Sequence, residues 1–155
     1  MINNPSFDQG DIVENGQPCK PESWITGPHT YWQVCPKAFI AFYDEDAYTS
    51  QINVDLTQTK IIEIYHKILY SNATNFISLF INDEEITPTD SIKDKTTFTI
   101  PTNLNLFNAT ITIKPKLSPL TNGTIFILSI LETTDPNVKK LVAPMVIPNI
   151  SNNYT

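Results

Sequence analysis

Two histidines, two cysteines and sixteen carboxylates are the residues of this 155-residue chain with reactive chemistry to offer. Catalysis would need a base beside a nucleophile, or two carboxylates held at a fixed separation. His29 follows Gly27-Pro28 in a loop-forming stretch, and His66 falls on the apolar face of a strand with Ile62, Ile64 and Ile68. No Ser or Cys nucleophile is placed near either, and the acidic clusters Asp44-Glu45-Asp46 and Asn82-Asp83-Glu84-Glu85 read as turns. The expectation is a protein without a catalytic centre, with His66 a satisfied core histidine. Cys19 and Cys35 flank a Pro-rich stretch. They could form a bridge, remain buried free thiols, or cross-link neighbouring subunits. A bridge would contribute on the order of 3 kcal/mol, and no Cys or His partners stand at zinc spacing.

The charge balance excludes one class of partner. The chain has ten Lys, no Arg and a formal net charge of −6. A phosphate backbone would be repelled, and the bidentate contacts that Arg supplies are missing, so nucleic acid is not expected. No run of 18 apolar residues could span a membrane, and the N-terminus carries neither a basic region nor an apolar signal core. The length suits one domain. Five Asn-x-Ser/Thr sequons occur, at Asn72, Asn108, Asn122, Asn149 and Asn153, and would be surface sites in a glycosylating cell.

The elements that must position these residues read as β throughout. Gly10, Gly16 and Gly27, with Pro18, Pro21, Pro28 and Pro36, exclude helix from the first 36 residues. Strands are predicted over 38–43, 50–56, 60–70, 76–82, 96–100, 109–114 and 125–131. Their alternation sets Ile52, Val54 and Leu56 on one face and Gln51, Asn53 and Asp55 on the other. Likewise Ile62, Ile64 and His66 oppose Glu63, Tyr65 and Lys67. Phe76 and Phe80 face away from Ile77, Leu79 and Ile81, which suggests a second covering layer or a subunit contact. The expected fold is all-β, a single antiparallel β-sandwich (jelly roll) over residues 1–135 with a loop-rich N-terminal segment. Residues 136–155 form an apolar, Pro-containing tail, either an edge strand or a subunit-docking segment.

In order, the pieces "NPSFDQG", Trp24, "AFIAFYDEDAYTSQINVDL", "TKIIEIYHKILYS", "FISLFINDEEI", "TTFTIP" and "ATITIKP" resemble the galactose-binding-like jelly-roll domains. These include many carbohydrate-binding modules and related extracellular or spore-surface domains. The opening piece is expected to be an extended strand anchored by Phe7, with Trp24 in the core. The resemblance implies a non-catalytic carbohydrate-binding or adhesive module, extracellular or at a cell or spore surface. It also implies an aromatic and a basic side chain presented at Tyr65 and Lys67, with Glu63 beside them. Trp32, after Gly27-Pro28, is the best candidate for a sugar platform, with either Tyr31 or Trp32 expected to be exposed. In such domains the acid of the opening motif helps hold a structural calcium with an Asp pair in the last strand. Asp8 matches the first element. The last strand, 126–132, has no Asp pair, and Asp44-Glu45-Asp46 could contribute or be a solvated loop. The alternative role is a self-assembling subunit of a fibre, coat or appendage, a homo-oligomer using the tail and the two cysteines. The expected partners are therefore a glycan or like subunits.

Overall fold

A computed structural model describes residues 1–11, 20–34, 37–69, 73–116 and 124–134. Cys19, Cys35 and the tail from 135 onward lie outside the described residues, so the disulfide and docking expectations concern chain not described here. In chain order the strands are β1 Gly10–Asp11, β2 Lys20–Pro21, β3 Ile25–Thr26, β4 Thr30–Gln33, β5 Phe39–Phe42, β6 Thr49–Val54, β7 Thr59–Ile68, β8 Ile77–Ile81, β9 Glu84–Ile86, β10 Asp90–Ile92, β11 Lys95–Thr99, β12 Ala109–Pro115 and β13 Ile125–Thr134. Two antiparallel sheets form a sandwich: six strands in the order β10-β11-β7-β13-β5-β4, and five in the order β3-β6-β12-β8-β9. β1 and β2 pair as a separate ribbon. No helix among the described residues is long and apolar enough to cross a membrane.

Period-2 patterning builds this arrangement because alternate side chains of each strand must enter the same core. Ile62 and Ile64 of β7, Ile40 and Phe42 of β5, Phe98 of β11 and Ile125 and Ile127 of β13 are buried from one sheet. Ile77, Leu79 and Ile81 of β8, Ile111 and Ile113 of β12 and Val54 of β6 are buried from the other. Asn82 (φ 52°) and Asp83 (φ 67°) both adopt left-handed backbone at the β8–β9 turn, a conformation Asn and Asp tolerate best among non-glycine residues.

Three readings of the pattern are corrected. Ile52 is 53% exposed and Gln51 is buried, because β6 itself bulges there: left-handed Asn53 (φ 57°) and Ile52 together oppose the one β12 residue between Ala109 and Ile111. The Gln51 amide is satisfied inside by accepting from Asn3 N (2.8 Å) and donating to Asn3 O (2.9 Å). The opening piece forms turns rather than a strand, with Asn4 (φ 50°) and Phe7 (φ 57°) both left-handed. Phe76 and Phe80 do not make a second apolar layer. Phe76 lies just before β8 and turns inward, fully buried against the His66 ring (centroids 4.4 Å apart). Phe80 lies under the Lys114 ammonium at 4.8 Å.

Trp24 is buried as expected, 5.3 Å from the Phe7 ring. His66 is only half satisfied. Its Nε2 bonds Thr96 Oγ1 (2.7 Å), which bonds Ser91 Oγ (3.1 Å), which in turn accepts from Asn75 N (2.7 Å). Its buried Nδ1 has no partner. Burial drives its pKa from 6.5 down to about 4, outweighing the nearby Asp94 charge. Between those values the unfolded chain binds the proton and the folded chain does not, so stability rises with pH. Acidification from pH 7 to below 4 should therefore cost about 3 kcal/mol through this group. Urea unfolding of wild type and His66→Phe across that range should show a correspondingly flatter pH profile in the variant. Equal slopes would remove His66 as the cause.

Candidate functional site

The outward face of the six-stranded sheet carries the side chains that the core leaves over. Glu63, Tyr65 and Lys67 project there together from β7, opposite the buried Ile62, Ile64 and His66. Glu63 Oε2 pairs with Lys95 Nζ at 2.9 Å, and the Glu63 hydrogen bond and charge hold the Lys95 pKa above its ordinary value. Lys67 is exposed and lies in register with Phe126 of β13. Phe126 is in register with Ala41 of β5, and Ala41 with Tyr31 of β4. One row thus crosses four strands: Tyr31, Ala41, Phe126, Lys67. Phe39 joins the row edge-on to Phe126, ring centroids 5.0 Å apart. Tyr43, just past the end of β5, meets Tyr31 edge-on at 5.0 Å. Tyr31 is 57% exposed and Tyr43 is 49% exposed. Edge-to-face pairs hold both rings in place while leaving area open to a ligand.

Trp32 does not belong to this face. β4 is a strand, not a loop, so Tyr31 and Trp32 point to opposite sides of the sheet. Trp32 is 8% exposed, and its Nε1 donates to Phe7 O within the core. The exposed ring of the pair is Tyr31.

A polar cluster adjoins Tyr31 and Tyr43. His29 (φ 50°) precedes β4, and its carbonyl accepts from Tyr43 N at 2.9 Å. The loop after Tyr43 brings Asp44 and Asp46 back toward His29, anchored by buried Ala47 and by Tyr48 N donating to Thr30 Oγ1 (3.1 Å). Gly27 permits this close approach, since a Cβ there would meet the Tyr48 ring at 2.4 Å. His29 Nδ1 lies 2.8 Å from Asp46 Oδ1 and 3.9 Å from Asp44 Oδ2. The Asp46 hydrogen bond, with the charges of both acids, raises the His29 pKa.

One ligand atom from each of these three residues lies within 4.8 Å of the others. They could contribute to holding a cation. Calcium takes six to eight oxygens, and two exposed carboxylates with an imidazole fall short of that. Asp8, the expected calcium ligand, is exposed and joins no such group among the described residues.

Sequence reasoning placed Glu63, Tyr65 and Lys67 on one face and missed Phe39, Tyr43, Phe126 and His29 as their neighbours. The alternation Thr30-Tyr31-Trp32-Gln33 was the available signal for Tyr31. The row itself depends on strand order, which no local pattern carries.

Among solved structures, the chain is similar in fold to a carbohydrate-binding module, CBM36, in complex with calcium and xylotriose, with TM-score 0.52, 15% identity, and coverage of 71% of this chain and 98% of that one. It is also similar to the CBM36-1 domain of a multidomain xylanase from the hindgut metagenome of Trinervitermes trinervoides, with TM-score 0.54, 16% identity, and coverage of 74% and 93%. CsCBM6-3 from Clostridium stercorarium, in complex with cellobiose, gives TM-score 0.52, 11% identity, and coverage of 74% and 88%. No protein-family model and no curated protein matches the chain. At these identities the likeness is one of fold, and the galactose-binding-like jelly roll is the fold they share.

Two measurements check this geometry. Trp32→Phe should cost about 1–2 kcal/mol in urea unfolding, because Phe7 O loses its partner. The NMR titration of His29 should give a pKa above 6.5 that falls back in Asp46→Asn. An unmoved midpoint would break the assignment.

Proposed function

We propose that this protein is a non-catalytic glycan-binding module whose ligand lies across the outer face of the six-stranded sheet. The row from Tyr31 and Tyr43 over Phe39 and Phe126 to Tyr65 and Lys67 is the observation that carries the reading. Aromatic faces pack on the CH surfaces of sugar rings, while ammonium and carboxylate groups bond the hydroxyls. Lys67 supplies donors and Glu63 acceptors, and the Glu63–Lys95 pair orients the carboxylate. From β4 to β7 the row crosses three inter-strand steps of about 4.8 Å, roughly 14 Å, which suits a short oligosaccharide better than one sugar. The similar folds of modules solved with xylotriose and cellobiose agree with this reading. His66 lies in the core, where no substrate reaches it, and His29 is tied to Asp46. The Thr96 hydroxyl that bonds His66 is buried with it, which favours binding over turnover. An extracellular or surface location suits such a module. The alternative, a fibre or coat subunit, depended on Cys19, Cys35 and the tail, all outside the described residues.

A glycan array followed by calorimetry on the best ligand tests the reading. Tyr31→Ala with Tyr43→Ala should weaken binding about tenfold or more, as loss of a central aromatic contact does, and EDTA should leave the affinity unchanged. An array with no hits, or wild-type affinity in the double variant, would refute it.

A further inference from the structure

The opposite end of the sandwich carries an aromatic that neither the core nor the row accounts for. Phe107 is 66% exposed, and a single exposed ring is ordinary on a protein surface. The backbone that carries this one is held in place. On either side of Asn105, Leu104 and Leu106 pack against the core. Leu56 N donates to Leu106 O (2.7 Å), Asn82 Nδ2 to Asn105 O (2.8 Å) and Phe107 N to Asn105 Oδ1 (3.3 Å). Asn82 is fixed in turn, its Oδ1 accepting from Thr110 N at 2.9 Å. The ring is therefore presented on a backbone that needs no further ordering when something binds.

Beside it lies a cleft of about 330 Å³ lined by Thr57, Thr59, Ile100, Thr102, Asn105 and Phe107, among others. That size is at the lower end of the roughly 300–1,000 Å³ range of small-molecule sites. Its polar groups have assigned directions. Thr57 Oγ1 donates to Asp55 Oδ1 and Thr59 Oγ1 to Glu132 Oε2, both at 2.6 Å. Each hydroxyl proton is thus engaged, and each oxygen keeps its lone pairs as an acceptor. The Asn105 NH2 and the Thr102 hydroxyl take no part in the bonds that hold the loop. Acceptors, donors and one aromatic face on an ordered backbone in one cleft match the surface of a sugar ring, with a CH face and hydroxyls at its edge.

We propose that this cleft is a second ligand site, taking one pyranose ring against Phe107 with its hydroxyls bonded by Thr57, Thr59, Thr102 and Asn105. It is independent of the row on the sheet face. Thr59 begins β7 and Lys67 nearly ends it, about 26 Å apart at ~3.3 Å per residue.

The test is an amide NMR titration of the full chain with glucose, galactose, mannose, xylose and N-acetylglucosamine, each to about 50 mM, far above the ~1 mM dissociation constant of a weak site. At least one sugar should shift the amides of Asn105, Leu106 and Phe107 in a saturable way. Phe107→Ala, whose ring is outside the core and whose spectrum reports its folding, should lose those shifts. Tyr31→Ala should keep them, so failure of the sheet-face reading and failure of this one are separable. Absence of shifts with every sugar, or their persistence in Phe107→Ala, would overturn the proposal.

Discussion

Closure of the N-terminal segment over Phe7 is the constraint on which the two sheets depend. Phe7 is fully buried, and the backbone that delivers it enters the core at a cost unless its carbonyls are satisfied. Two indoles do this: Trp24 Nε1 donates to Asn4 O at 2.9 Å and Trp32 Nε1 to Phe7 O. The Asn4 side chain ties the same turn to Gln9 and Glu22. The segment also bridges the layers. Ile130 N of β13 donates to Pro5 O and Ile2 N to Glu132 Oε1, while Asn3 exchanges two bonds with Gln51 of β6. Residues from the start of the chain thus join the six-stranded sheet to the five-stranded one, and the two tryptophans are committed to structure.

That commitment shapes the outer face. With Trp32 turned inward, the strand period leaves Tyr31 outside, and antiparallel register sets Ala41 between Tyr31 and Phe126. The small Ala41 side chain leaves the flanking rings as the raised features of the row. Farther along β13, a register shift between Ile127 and Ser129 brings Ser129 opposite Tyr65, so this phenol stands beside a small neighbour and keeps part of its surface open. The same physics gives His29, Asp44 and Asp46 their place: two loops meet because His29 O and Tyr43 N close the end of the β4–β5 pair.

Much of this was legible residue by residue. Alternation in Ile62-Glu63-Ile64-Tyr65-His66-Lys67 separates core from surface because only one parity can be buried, and the same holds for Ile111 and Ile113. It failed at Ile52 and Gln51, where a bulge in β6 itself, with left-handed Asn53, reverses the parity. Periodicity counts residues and has no term for an inserted one. Sequence reasoning also ranked Trp32 first as the sugar platform, whereas a carbonyl 25 residues earlier takes its indole N–H and Tyr31 is the exposed ring.

The sequence by itself determined the all-β class, most strand positions, the burial of Phe7, Trp24 and His66, and the shared face of Glu63, Tyr65 and Lys67. These follow from local periodicity and turn chemistry, which act within a few residues. Only the tertiary structure decided which strands are neighbours, that Trp32 as well as Trp24 is spent on the N-terminal turn, and which aromatics line up across the sheet. Those outcomes depend on pairing and hydrogen bonds between residues far apart in the chain. The motif Asn4-Pro5-Ser6-Phe7 announces a buried anchor, but what that anchor holds together is set by the residues that fold around it.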